Sequence, residues 1–194
     1  MQRIFHTPEG VRDIYSQECS RKQKLQEKLH RVFHQYGFED IETPTFEYFE
    51  VFSKEVGTIP SRELYKFFDR EGNTLVLRPD FTPSVSRACA TYFNPEKEVV
   101  SLCYTGNTFI NNSSFRGRLK ETTQMGVERM GDDSPEADAE ILAMTVECLL
   151  ATGLTEFQVS VGQVDYYKAI FAQTGLSQEE EEELRELISQ KNYF

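Results

Sequence analysis

The sequence lacks the features of a membrane or secreted protein. It contains no run of eighteen apolar residues, about the shortest length that spans a bilayer as a helix. Its opening residues, MQRIFHTPEGVRD, lack the apolar core of a signal peptide. The four cysteines are widely spaced and form no CxxC pair, which argues against a zinc site or a disulfide framework. We therefore expect a cytoplasmic protein with reduced thiols and no membrane partner.

Positive charge is also scarce. The chain carries 32 acidic and 21 basic residues, for a formal net charge of −11. This balance argues against binding DNA or RNA by general electrostatic attraction. It leaves room for a small phosphate-bearing ligand that is held by a few local cations.

Two histidines lie four residues apart on a predicted helix. His30 and His34 would share one face of that helix and could in principle bind a metal ion together. The neighbouring sequence supplies no carboxylate or thiol at a ligand spacing. We therefore predict helix-surface or packing roles for both side chains, and no metal or other cofactor.

Hydrophobic periodicity places helices and strands along the whole chain. Helices are predicted over 16–36, 81–92, 134–153 and 166–174 and from 177 onward, and strands over 40–46, 64–69, 74–78, 99–105, 122–128 and 157–161. A Gly-Asn turn between two of these strands predicts a hairpin. The pattern favours an α/β (α+β) fold with a mostly antiparallel sheet flanked by helices. We predict one domain over 1–194, and an incomplete one, since no sheet-finishing element follows the last helix.

One proline interrupts a predicted strand. Pro44 lies within 40–46 and has no backbone N–H to donate to a neighbouring strand. This strand therefore belongs at a sheet edge or at an interface.

The segment Leu77-Arg78-Pro79-Asp80-Phe81-Thr82 is a candidate ligand-binding turn. Pro79 fixes the passage from strand to helix, so that Asp80 and Thr82 project near the start of the helix. A carboxylate and a hydroxyl at this place could bind an ammonium group. The alternative is that Asp80 only caps the helix.

A second candidate lies on the predicted strand 122–128. Gln124, Gly126 and Glu128 share one face because side chains alternate along a strand. The glycine between the two polar side chains would leave room for a ligand or another close neighbour. Two polar groups on a solvated sheet face are the alternative.

The loop before that strand is basic. Arg116, Arg118 and Lys120 could contact a phosphate or another anion. The alternative is an ordinary solvated loop.

Taken in order, these segments resemble the catalytic core of the class II aminoacyl-tRNA synthetases, most closely the histidyl branch. The resembling segments are 7–13, 36–47, 77–82, 109–124, 124–128 and 137–140. The resemblance implies a class II synthetase-like core in which Pro44 lies at a homodimer interface. It also implies that a histidine pocket contains Asp80, Thr82, Gln124 and Glu128, with Asp80 at a position where synthetases usually carry glutamate.

The chain departs from the family pattern at Ile110. Synthetases typically read Phe-Arg-x-Glu at this point, whereas this chain has Phe109, Ile110 and Asn112 at the three defined positions. The resemblance gives the missing arginine contacts to the ATP α-phosphate and to the amino-acid carboxylate. A hydrocarbon cannot donate a hydrogen bond, and loss of one oriented transition-state donor slows a reaction about 10²–10³-fold. We therefore predict that the chain does not activate histidine with ATP.

A histidine pocket without activation chemistry resembles the synthetase-like regulatory subunits of ATP phosphoribosyltransferase. This resemblance implies a non-catalytic homodimer, assembled with the catalytic subunit into a hetero-oligomer for the first step of histidine biosynthesis. It also implies histidine as the feedback effector and no tRNA partner. The alternatives are a histidyl-tRNA synthetase in which the segment 109–124 is rearranged and another synthetase-like histidine-binding protein.

Overall fold

The computed structural model describes residues 5–53, 59–112 and 117–189. The chain divides into two compact units, one up to Thr155 and the other from Glu156. We describe each unit by itself, and the single domain over 1–194 stays a prediction. None of the described helices combines the length and the apolarity that crossing a membrane requires.

The described residues of the first unit form four α-helices, a short 3₁₀ turn and six strands. The helices are α1 (Ser16–Gln35), α2 (Glu50–Ser53), α3 (Thr82–Tyr92) and α4 (Pro135–Thr152), and the 3₁₀ turn is Ser61–Glu63. The strands are β1 (Glu39–Asp40), β2 (Phe46–Tyr48), β3 (Lys66–Phe68), β4 (Thr74–Leu77), β5 (Val100–Phe109) and β6 (Glu121–Met130). Ser134 accepts a hydrogen bond from the Ala137 N–H and so caps α4, as its position before Pro135 predicts.

The larger sheet has the strand order β1-β5-β6. Strands β5 and β6 form a long antiparallel pair, with Tyr104 opposite Gly126 and Gly106 opposite Gln124. The short strand β1 runs parallel to β5, and Asp40 lies beside Cys103. The prediction of a mostly antiparallel sheet is therefore confirmed, with one parallel edge.

A smaller sheet has the strand order β2-β4-β3. The predicted hairpin is confirmed in β3 and β4, whose turn closes when Asp69 Oδ1 accepts the N–H groups of Glu71 and Asn73. The single strand predicted over 40–46 is wrong. Its two ends lie in different sheets, as β1 and β2, and Pro44 between them has no N–H with which to continue a ladder.

The two faces of the larger sheet carry different apolar clusters. On one face, Cys103 packs with Phe33 of α1 and Met144 of α4. On the other face, Leu102 and Tyr104 pack with α3 and the turn before it in a second cluster. Consecutive residues of β5 thus serve opposite clusters, as strand alternation requires.

The second unit contains α5 (Val164–Thr174) and α6 (Gln178–Ser189). Ser177 and Glu180 form the predicted capping box, in which the Ser177 N–H donates to the Glu180 carboxylate over 2.8 Å. The strand predicted over 157–161 is wrong. These residues are exposed and have no strand neighbour among the described residues. A sequence that favours β-structure does not form a strand here, because it has no partner strand with which to exchange hydrogen bonds.

Candidate functional site

Asp80 lies in the turn that joins β4 to α3 and reaches across to β6. Its Oδ1 accepts hydrogen bonds from the Phe81 N–H (2.7 Å) and from Gln124 Nε2 (3.1 Å). The N-cap residue of α3 is Phe81, and no side chain makes a capping bond there. Asp80 therefore joins two elements, and the alternative of a simple helix cap is wrong.

The other two predicted residues form a second pair beside the first. Thr82 Oγ1 donates to Glu128 Oε1 over 2.6 Å, and the Tyr104 hydroxyl reaches the same oxygen at 3.4 Å. All four side chains are partly buried. The structure thus brings together the four residues that the sequence singled out. We call Asp80, Thr82, Gln124 and Glu128 the polar cluster.

The space above Gly126 is filled by Tyr104. A Cβ built on Gly126 would lie 2.6 Å from Tyr104 Cζ, far inside normal contact distance. The room expected between Gln124 and Glu128 is therefore occupied, directly above Gly126, by a close neighbour from the chain itself, the Tyr104 ring. Sequence reasoning did not assign Tyr104 to the site, although pairing β5 with β6 would place it opposite the glycine.

A stacked column of side chains supports the polar cluster. The Arg78 guanidinium lies 4.0 Å from the centre of the Phe81 ring, which stacks on the Tyr104 ring at 4.3 Å and 9°. The column passes over Gly106, where an added Cβ would lie 2.6 Å from Arg78 Nη2 and 2.7 Å from Phe81 Cζ. Because Gly106 and Gly126 have no side chains, the column can lie directly against the sheet.

Arg78 holds this column in place through backbone carbonyls. Its guanidinium donates to the oxygens of Thr43 and Asn107, each over 2.8 Å, and its side chain is buried. Because its Nε and Nη1 donate to backbone carbonyls, Arg78 acts as a structural cation and does not replace the arginine missing at position 110.

The described residues that donate hydrogen bonds to the two carboxylates of the polar cluster are neutral. Burial, together with the charge of Asp80, raises the pKa of the Glu128 carboxyl, although the hydrogen bond from Thr82 opposes this shift. Burial also raises the pKa of the Tyr104 hydroxyl, with a further contribution from Glu128. Two carboxylates in a partly buried place favour a cationic ligand group, such as an ammonium or an imidazolium.

Ile110 lies on the same face of the sheet as the polar cluster. Its N–H donates to the Lys120 carbonyl over 2.9 Å, which continues the pairing of β5 with β6 beyond the ends of both strands. Strand alternation then places Ile110 on the face that carries Gly106 and Gln124. A hydrocarbon therefore occupies the place where the family pattern has an arginine.

The predicted basic patch is only partly described. Arg116 lies outside the described residues, and Arg118 is exposed. Lys120 donates its N–H to the Gly10 carbonyl over 2.7 Å, and its side chain packs against Gly10, whose positive φ of 84° suits only glycine without strain. Within the described ranges, no hydrogen bond or ion pair joins Arg118 or Lys120 to the polar cluster.

Pro44 lies in an exposed position between β1 and β2. Its carbonyl accepts a hydrogen bond from Arg78 Nη1 at 3.3 Å. The next strand, β2, exposes about half of Phe46 and Tyr48, at 50% and 55%.

A family model described as histidyl-tRNA synthetase matches residues 10–194. The chain belongs to the histidyl-tRNA synthetase family. The predicted class II synthetase-like fold, mixed in α and β and with antiparallel sheets flanked by helices, is thereby confirmed.

Curated relatives within this family are named ATP phosphoribosyltransferase regulatory subunit. The chain is 43% identical to that of Acetivibrio thermocellus, over 98% of this chain and 46% of the relative. It is 41% identical to that of Ruminiclostridium cellulolyticum, over 97% of this chain and 45% of the relative. The chain thus spans about half the length of the curated relatives that it matches.

Several solved structures are similar to this chain. One, from Bacillus halodurans, is described as an ATP phosphoribosyltransferase regulatory subunit/histidyl-tRNA synthetase. It matches with a TM-score of 0.85 at 32% identity, over 100% of this chain and 50% of its own. The apo histidyl-tRNA synthetase of S. aureus matches with a TM-score of 0.63 at 26% identity, over 78% of this chain and 36% of its own.

Proposed function

We propose that this chain belongs to a non-catalytic regulatory subunit of ATP phosphoribosyltransferase and that its polar cluster binds free histidine. The proposal rests on one observation, which is that two carboxylates and a hydrocarbon side chain lie on the same face of the larger sheet. Asp80 and Glu128 offer negative charge to an amino acid, whereas Ile110 offers nothing to an ATP phosphate. A site with these residues favours the binding of histidine over its activation with ATP.

The chemistry of histidine matches the polar cluster. Its ammonium group is a donor for a carboxylate, and its imidazole can be recognised by a second acceptor. Gln124 and Thr82 hold the two carboxylates in position through bonds of 3.1 Å and 2.6 Å. A ligand would therefore meet acceptors that are already oriented, which reduces the entropic cost of binding.

The proposed role requires assembly with the catalytic subunit of ATP phosphoribosyltransferase in a cytoplasmic hetero-oligomer. In this role the protein supports the first step of histidine biosynthesis, needs no cofactor and binds no tRNA. Histidine regulates the assembly if it binds one arrangement more tightly than another, because a ligand shifts an equilibrium only through its difference in affinity. The names of the relatives support this partner.

The proposal includes a homodimer through the edge that carries Pro44. The exposed aromatic side chains of β2 support it, since Phe46 packs edge-on against Phe67 of β3 at 5.7 Å and leaves an apolar surface open to solvent. Exposed apolar surface of this kind is typical of protein–protein contacts.

Calorimetric titration of histidine into the full-length protein tests the pocket. We expect saturable binding, and a loss of affinity of about 10- to 100-fold in Asp80→Asn, because a charge-assisted hydrogen bond contributes about 1.5–3 kcal/mol. Asp133→Asn, a change at an exposed aspartate, is the matched control and should bind normally. Absence of binding heat, both with and without the catalytic subunit, would contradict the pocket assignment.

The main alternative is a histidyl-tRNA synthetase. The family model and the likeness to the S. aureus enzyme support it. Charging of histidine tRNA by the full-length protein would favour this alternative. A third possibility is a synthetase-like histidine-binding protein with another partner, which failure to co-purify with the catalytic subunit would favour.

A further inference from the structure

Four potential metal ligands meet on the face of the larger sheet that α1 covers. His30 and His34 lie four residues apart on α1, so that both imidazoles point to one side. Asp40 on β1 and Cys103 on β5 are direct neighbours in the parallel strand pair. We call these four residues the His-Asp-Cys cluster. It lies on the face opposite the polar cluster.

The ligand atoms of this cluster are close enough for one ion to reach all of them. One atom from each of the four residues lies within 4.8 Å of the other three. Asp40 contacts His30 Nε2 through Oδ1 and His34 Nε2 through Oδ2, the second at 3.0 Å, and Cys103 Sγ lies 3.5 Å from Oδ1. Tetrahedral zinc, with bonds of about 2.0–2.3 Å, holds its ligand atoms about 3.3–3.7 Å apart. Small side-chain movements would therefore complete such a site.

The ligand types select the metal. Two imidazoles, one sulfur and one carboxylate are a set that zinc accepts, whereas magnesium and calcium prefer oxygen alone. A carboxylate and a thiolate together would also balance the two charges of the ion. We propose that the His-Asp-Cys cluster binds one Zn²⁺ in a tetrahedral site.

Solvent can reach the cluster from one side. The side chains of His30, His34 and Asp40 are 36%, 46% and 59% exposed, whereas Cys103 is fully buried. Zinc would therefore reach the site past the exposed histidine and aspartate side chains, with the sulfur at the bottom of the site. A metal-bound cysteine is a thiolate, so zinc binding would release the thiol proton of Cys103 to solvent.

A site with four protein ligands is structural in character, because no position stays open for a substrate. Its ligands come from α1, β1 and β5, and the ion would fix the helix to the parallel edge of the sheet. This proposal replaces the sequence-based expectation of helix-surface or packing roles for His30 and His34. The expectation that the neighbouring sequence supplies no carboxylate is wrong, because Asp40 lies six residues after His34 and bonds both histidines. Cys103 could not be found by local spacing, since it lies 63 residues from Asp40.

Zinc titration of the metal-free, full-length protein against a chromophoric chelator tests the proposal. We expect one zinc per chain. His34→Gln should weaken binding at least about 10- to 100-fold, a loss that even outer-shell changes cause. His6→Gln and Cys19→Ser remove an imidazole and a thiol outside the cluster, and both variants should bind like the parent protein. No stoichiometric binding, or equal binding in His34→Gln and the controls, would overturn the proposal.

Cobalt substitution provides a second readout that does not depend on affinity. Co²⁺ bound by a thiolate shows a sulfur-to-metal charge-transfer band, which should be present in the parent protein and absent in Cys103→Ser. Circular dichroism of each variant verifies that it is folded, and His34, being partly exposed, tolerates substitution better than the buried cysteine. Cobalt binding without this band would contradict the assignment of Cys103 as a ligand. Neither readout requires histidine, so this proposal and the proposed function can fail separately.

Discussion

The Glu128 carboxylate favours ligand binding but lowers the stability of the ligand-free folded protein. Its raised pKa means that the ionised form is less favourable in the folded chain than in the unfolded chain. The folded state therefore loses stability as the pH rises from the ordinary value of 4.5 through the raised one. A bound cation would recover this loss.

Glu128→Gln should therefore separate stability from binding. We expect the ligand-free variant to lose less stability between pH 4.5 and 8 than the parent protein, because it has no charge to bury. Its histidine affinity should fall about 10- to 100-fold, since the charge that attracts the ligand is gone. Urea denaturation across this pH range and calorimetry measure the two effects. Unchanged affinity would remove Glu128 from the site.

Gly126 is the second informative residue, because Tyr104 occupies the space that a side chain would need. We expect Gly126→Ala to destabilise the fold by about 1–3 kcal/mol, the usual cost of overpacking. Tyr104→Leu would relieve part of the clash, so the double variant should lose less than the sum of the two single changes. Chemical denaturation of the three variants measures the coupling. Strict additivity would show that the ring and the glycine do not interact.

At the scale of secondary structure, Arg78 connects three parts of the first unit. It lies directly after β4, it donates to the carbonyl of Asn107 in β5, and it donates to the segment between β1 and β2. The forked guanidinium of Arg78 thus donates hydrogen bonds to backbone carbonyls that are not paired with a neighbouring strand. A lysine has a single charged nitrogen and cannot reproduce this fork.

Arg78→Lys should cost about 2–3 kcal/mol of unfolding free energy, because buried carbonyls lose their donors. Arg70→Lys, in the exposed turn between β3 and β4, is the matched control and should change stability by less than about 0.5 kcal/mol. Guanidinium denaturation compares the two variants. Equal stability of both would contradict the bridging role of Arg78.

The elements that the sequence predicted well are those with local signals. Helix α1 has its hydrophobic spacing, α4 has Ser134 and Pro135, and the β3–β4 hairpin has its Gly-Asn turn. The failures needed long-range information. Residues 157–161 look like a strand but lack a partner, and the ends of 40–46 lie in different sheets because distant strands pair with them.

At the scale of the whole molecule, the proposed homodimer depends on the exposed aromatic surface of β2. We expect Phe46→Ser to weaken self-association, because it removes an apolar side chain that is 50% exposed in the single chain. Tyr92→Ser, at an exposed aromatic residue on α3, is the matched control. Sedimentation of the full-length protein measures the outcome. A Phe46→Ser protein that stays as dimeric as the parent would exclude this edge.

The candidate site was predictable in its members but not in its shape. Strand alternation grouped Gln124 with Glu128, and the Pro79 turn placed Asp80 and Thr82 nearby. The family pattern then explained why these four belong together. No local sequence pattern predicted the column of Arg78, Phe81 and Tyr104. This column forms only when β5 pairs with β6 and α3 packs above them.

The central claim is that the site recognises histidine without activating it. Histidine-dependent exchange of pyrophosphate into ATP tests this claim most directly, on a full-length preparation whose histidine binding has been measured by calorimetry. The account predicts saturable binding with exchange at the background level. Exchange that rises above background with added histidine would contradict it.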